Sequence, residues 1–354
     1  MNIIETPKKG ISSLYVLKAL CAFFVVVIHF SSRYGYYLYP IIRTAVPCFF
    51  MISGYFLYSD DRKDMISKLS KTICKTLYIT LLAYTFYIIV KILLSLLLGT
   101  EIGLTSDSLL KITLAGPTIW ATGHLWYLVA YLETLLVILL LVWFRSLKLV
   151  WILIPLGLIT NLLMGKYGFL LPIPSDLMIN DVPKSMLARN FFTIGIPAFS
   201  IGLIIRKYNQ MIIQTINKHN AWIISGLLLL FSIVEFTILY SLYGRIFSGD
   251  IAIFTVPFAI SLIIICLHYK EFGNDTIFEI IGKKYSSDIY IYHMFVASFI
   301  IWLIEIILGK LFGGNWNFLY SAFIIFFATL IFVIIWQKSI SYAKNILHIK
   351  SAKI

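Results

Sequence analysis

Charge is what this chain has least of. Only 13% of its 354 residues are Asp, Glu, Lys or Arg, against about a quarter in a soluble domain, while 60% are hydrophobic and the mean hydropathy is +0.92. Cysteine is scarce as well. Cys21, Cys48, Cys74 and Cys266 each lie in or beside an apolar run and none belongs to a CxxC pair, which argues against a zinc centre or a disulfide framework. Long polar stretches are missing: the longest segments between apolar runs, 99–124 and 165–189, are too short to close a soluble core. There is no internal repeat and no low-complexity tract. One domain covering 1–354, with short basic tails, is the expectation.

What is present is a succession of apolar runs, most about 20 residues long, which as a helix crosses a hydrocarbon core of roughly 30 Å. Ten are expected: 14–32, 41–58, 76–98, 125–144, 149–164, 190–205, 221–243, 251–269, 287–308 and 318–337. They lack the two-residue alternation of a transmembrane strand, so the fold class is all-α, a polytopic transmembrane bundle. The first run has no small-residue cleavage pattern and reads as a retained helix. Most of the 29 Lys and Arg fall in segments that share a side if the N-terminus is inside, which predicts both termini to be cytoplasmic. The formal charge of +13 is thereby mainly topological, facing anionic headgroups and not nucleic acid.

Polar residues inside the runs are the informative exceptions. In "KALCAFFVVVIH", Lys18 and His29 are eleven residues apart, which on a helix is some 20° beyond three full turns and a rise of about 16 Å. They share a face at opposite depths. Lys18 can snorkel to the interface. His29 lies deep, where an ionisable group must face the bundle interior or water.

These residues resemble the integral membrane acyltransferase-3 family, which typically moves acyl groups, often acetyl from acetyl-CoA, onto surface glycans. The family's first helix carries arginine and histidine at this spacing, with Lys18 replacing the arginine here. Further likenesses are "RTAVPCFFMISGYFLY" (43–58), "GHLWYLVAYL" (123–132), "ARNFFTIGIPAFSIGLII" (188–205) and "IYIYHMF" (289–295). Lysine is a flexible point charge without arginine's planar fork, so it can attract phosphate but not grip it in a fixed geometry.

The resemblance implies an acetyl-CoA-dependent O-acetyltransferase of the cell envelope, in a bacterial cytoplasmic membrane, with a polysaccharide acceptor and no metal. His29 is then the general base on a sugar hydroxyl. Candidate stabilisers of the oxyanion are Arg43, Ser53, Trp126 and Tyr127. Glu133 would be catalytic or paired with His29, Arg43 or Arg189. Lys18 and the stripe Lys68, Lys71 and Lys75 would draw the CoA phosphates. Arg189, Asn190 and His293 would contact substrate. His124, beside "LWYL", reads as an interfacial residue. The rival reading is a transporter or flippase whose polar residues line a pathway.

Overall fold

A computed structural model of the chain describes residues 10–30, 35–99, 111–112, 122–172, 174, 178–179, 182–243, 251–304 and 321–351. Among them it is helical almost throughout. The principal helices are α1 (Ser12–Phe30), α2 (Tyr39–Ile42), α3 (Ala45–Leu57), α4 (Arg62–Leu98), α5 (Trp126–Trp143) and α6 (Val150–Met164), followed by α7 (Ile196–Lys207), α8 (Asn209–Thr215), α9 (Lys218–Tyr243), α10 (Thr255–His268), α11 (Ser286–Ile304) and α12 (Ala322–Ser351). A two-residue antiparallel ladder, Met178–Ile179 with Val182–Pro183, is the one sheet among the described residues. The stretch "SLLKITLAG" (108–116), which the sequence pattern marks as amphipathic, lies largely outside them.

Seven of these helices are long and apolar enough to cross a membrane, or eight if Phe191–Lys207 and Asn209–Thr215, bent by 77°, form one span. The chain is a multi-pass membrane protein. Residues Thr255–His268 and Ser286–Ile304 are helical where the eighth and ninth spans are expected; the former is an apolar helix of 14 residues.

Local chemistry sets the helix ends. Asp61 caps α4, its carboxylate accepting from the Lys63 and Asp64 amides, and α4 stops at Gly99 with φ of 65°. Arg62 then ties α4 to the far end of α5 by donating from Nε to the Val142 carbonyl at 3.0 Å and from Nη2 to the Trp143 carbonyl at 2.5 Å. Asn190 caps a π-helical turn, Phe191–Gly195, that leads into α7.

α1 is the central helix. It packs on α3, α10, α11 and α12 and against a π-helical turn, Ile281–Tyr285, just before α11. The tightest helix pair is α3 with α7, whose backbones approach because each offers a glycine: a Cβ on Gly54 would collide with the Phe199 carbonyl, and one on Gly202 with the Met51 carbonyl. Small residues at a crossing are the usual means of close packing where no hydrophobic effect acts between helices.

At the end of the bundle away from Lys18, Glu235 of α9 works as a latch. Its carboxylate accepts from the Ile253 and Phe254 amides at 2.7 and 3.1 Å and from the Tyr167 hydroxyl. Burial and that carboxylate push the Tyr167 phenol up, so it remains a donor. Glu235→Gln replaces one acceptor oxygen with a donor and is expected to lower stability by about 1–3 kcal/mol. Thermal unfolding in detergent would show this as a reduced Tm with acyl transfer intact at low temperature.

Candidate active site

The site begins with α1. Eleven residues separate Lys18 near one end from His29 near the other, and the geometry expected from that spacing holds in a continuous helix. At its far end the His29 ring turns into a group of imidazoles. Its centroid lies 5.2 Å from that of His293 and 6.4 Å from that of His124, and His124 and His293 are 4.8 Å apart. Three histidines from α1, from the turn Gly123–Leu125 that starts α5, and from α11 thus meet. His29 is exposed whereas His124 and His293 are buried, so the first-helix imidazole is the accessible member.

The two buried rings are held by carbonyls, and this fixes their tautomers. A carbonyl can only accept, so the ring nitrogen facing it carries the hydrogen. His124 donates from Nε2 to the Ile291 carbonyl at 2.9 Å. His293 donates from Nδ1 to the Tyr290 carbonyl at 2.7 Å. The His293 Nε2 is buried without a hydrogen-bond partner in the structure. In the neutral ring it is a bare acceptor on the histidine nearest His29. Supporting bonds come from two phenols: Tyr87 of α4 donates to the same Ile291 carbonyl at 2.8 Å, and Tyr290 donates to the His124 carbonyl. His124 is thereby held through both its ring and its backbone.

From this cluster a line of rings leads inward. Tyr290 lies 5.7 Å from His124 and 5.3 Å from Tyr127, and Tyr127 stacks on Tyr131 at 5.9 Å with an interplanar angle of 3°. Tyr131 lies within reach of Ser53 of α3. Tyr127 and Tyr131 are half-buried, while Phe50 packs edge-on against both.

The other expected residues divide. Arg43 sits in the turn between α2 and α3, with its guanidinium 4.6 Å above the Tyr39 ring. Gly54, eleven residues on and so on the same helix side by spacing alone, packs against the α7 backbone at Phe199. Ser53 lies beside Tyr131, at the other end of the line of rings that starts from His124. Trp126 starts α5 and packs against the core.

Glu133 makes no ion pair among the described residues, and its Oε2 is buried without a hydrogen bond. The expected pairing with His29, Arg43 or Arg189 is not found among the described residues. Asn190 is occupied locally: its Oδ1 accepts from the Phe192 and Thr193 amides at 2.9 and 3.1 Å, and its Nδ2 donates to the Leu187 carbonyl at 2.8 Å. The Asn190 amide therefore serves as a helix cap. Arg189 is half-buried just before it.

At the opposite end of α1, Lys18 and Lys75 are within electrostatic reach of one another, and Lys75 also of Asp288. Asp288 accepts from Gln337 at 2.6 Å. Of the expected stripe, Lys68 pairs with Asp64 at 2.6 Å, Lys71 is exposed, and Lys75 is the one within electrostatic reach of Lys18. No group of His, Cys, Asp and Glu among the described residues has a metal-binding arrangement, the three histidines included.

Residues 11–337 match the model of the acyltransferase-3 family, described as an acyltransferase domain. The chain belongs to this family. It is accordingly a membrane acyltransferase, with an acyl donor and an acceptor to bring together. No curated protein and no solved structure matches it. The sequence singles out His29 and His293 as candidates but not His124, which the structure sets beside them, because a histidine next to Trp and Tyr at a span end looks like part of the interfacial aromatic belt.

Proposed function

We propose that the protein transfers an acetyl group from cytoplasmic acetyl-CoA to a hydroxyl of a surface or exported polysaccharide, with His29 as general base. The observation that carries this reading is the placement of an accessible imidazole among two buried histidines at one end of the central helix, with the Lys18 and Lys75 charges at the other.

The positive end faces the cytoplasm, both termini with it, and receives the CoA phosphates. Two like charges that repel each other there gain from an anion between them. The pantetheine arm runs along the Tyr127 and Tyr131 rings and brings the thioester toward His29. The sugar hydroxyl enters from the other side. His29 takes its proton as the oxygen attacks the thioester carbon; the C–S bond then breaks, and the proton passes to the leaving thiolate. The half-buried Tyr127 hydroxyl and the Trp126 indole N–H are the candidate donors to the developing oxyanion.

The direct test is incubation of the purified, reconstituted protein with labelled acetyl-CoA and membrane glycan. Release of free CoA with label on glycan supports the reading; an intact thioester carried across the bilayer refutes it. Lys18→Gln should raise KM for acetyl-CoA about five- to tenfold, with kcat little changed, since one phosphate-facing charge near a surface contributes about 1 kcal/mol. The effect should shrink in high salt, and an unchanged KM would remove Lys18 from donor binding.

A further inference from the structure

Away from the histidines, a groove of about 410 Å³ runs between α6, α7 and α10. Its wall on α6 is a single stripe, Trp151, Ile154, Pro155, Leu158 and Leu162, and Ile204 and Ile260 close the other sides. At the Trp151 end it continues into a second cavity of about 120 Å³, because Trp151 and Ile204 line both. The smaller cavity has a different character: Lys148, Lys207, Tyr58 and Tyr208 line it. Neither lysine forms an ion pair among the described residues, and both are exposed. The nearby Asp60 carboxylate accepts from the Tyr58 hydroxyl at 2.7 Å.

We propose that the two cavities together bind one anionic glycerophospholipid, its phosphate between Lys148 and Lys207 and one acyl chain along the α6 stripe. Three observations converge on that occupant. The first is length. Trp151 to Leu162 is eleven residues, a rise of about 16 Å, close to the roughly 15 Å depth of one leaflet's hydrocarbon. A polyprenyl chain much longer than an acyl chain would overrun it. The second is order. The apolar groove is joined to the basic cavity at one end, as a lipid tail is joined to its headgroup, and a tryptophan stands at the junction, where indoles favour the interface. The third is charge. Two lysines on flexible stems can converge on a phosphate that lies at headgroup depth, and a zwitterionic lipid would set its own ammonium against them.

The site is separate from the three histidines, and its test reads lipid binding, so it stands or falls without reference to acetyl transfer. Delipidated full-length protein in a neutral detergent would be titrated with phosphatidylglycerol or phosphatidylcholine and followed by native mass spectrometry. One phosphatidylglycerol is expected to bind about ten- to thirtyfold more tightly than phosphatidylcholine, given about 1 kcal/mol for each lysine near a headgroup. The double variant Lys148→Gln, Lys207→Gln should abolish that preference, whereas Lys270→Gln, Lys338→Gln, which removes two exposed lysines elsewhere, should retain it. Leu158→Trp, which fills the groove, should weaken both lipids. Equal affinity for the two lipids in the unmodified protein, or a preference indifferent to Lys148 and Lys207, would overturn the proposal. Binding of glycerol 3-phosphate as tight as that of phosphatidylglycerol would overturn the role of the groove.

Discussion

His29→Ala is expected to lower the turnover of acyl transfer by about 10² to 10⁴, the usual contribution of a positioned general base, while acetyl-CoA still binds. The expectation rests on what the ring is able to touch. Of the three imidazoles, His29 is the exposed one, and the other two donate to carbonyls of α11, so alanine at position 29 takes away the base that a hydroxyl can reach. His29→Gln keeps volume and a hydrogen bond but cannot accept a proton at neutral pH, and should be as impaired as alanine. Single-turnover measurement with labelled acetyl-CoA separates the chemical step from binding. Acid quenching of the unmodified protein also tells whether label rests on the imidazole before reaching the glycan. Retained turnover in both variants would end the assignment. His293→Gln should be less damaging, since its Nδ1 bond to the Tyr290 carbonyl can be replaced by an amide N–H and only the acceptor beside His29 changes character.

The second large effect is on folding. Gly202→Val is expected to destabilise the protein by about 3 kcal/mol or more, and Gly54→Val similarly. Overpacking a core typically costs about 1–3 kcal/mol when side chains can shift. Here the new carbon would meet main chain: the Met51 carbonyl for Gly202, the Phe199 carbonyl for Gly54. Neither can rotate aside, so α3 and α7 must separate and release their whole interface. Cys21 and Cys48 are free and buried, so a thiol-reactive dye can follow unfolding. Gly226→Ala on α9, where an added carbon meets nothing within 4 Å, is the control and should leave the Tm nearly unchanged. An unchanged Tm for Gly202→Val would mean that the α3 and α7 backbones are not in contact.

Much of this was legible in the sequence because membrane helices carry few polar groups, and each one stands out. Lys18 and His29 announced a shared face by spacing alone, and the structure retains it. Asn190 is ambiguous in sequence because the chemistry that makes an amide a good ligand also makes it a good helix cap, and only coordinates show that Phe192 and Thr193 use it. Gly54 is ambiguous in a related way: a glycine allows close approach to backbone, but the pattern does not say whether a ligand or another helix approaches. Glu235 had no motif because its partners, the amides of Ile253 and Phe254, are main-chain groups without a sequence signature. The convergence of His124 with His29 and His293 joins residues more than 90 positions apart, which no local periodicity encodes.

The carbonyl of Ile291 accepts from Tyr87 of α4 and from His124 at the start of α5, while His293 sits two residues further along the same helix. One oxygen therefore serves as a register mark for three separate segments. Sliding α11 by a single residue, about 1.5 Å, would carry that oxygen out of line with both donors and displace the His293 ring together with it. A rocking cycle that moves α11 against its neighbours would dismantle the imidazole group at every stroke, whereas two substrates meeting at a stationary scaffold would leave it whole.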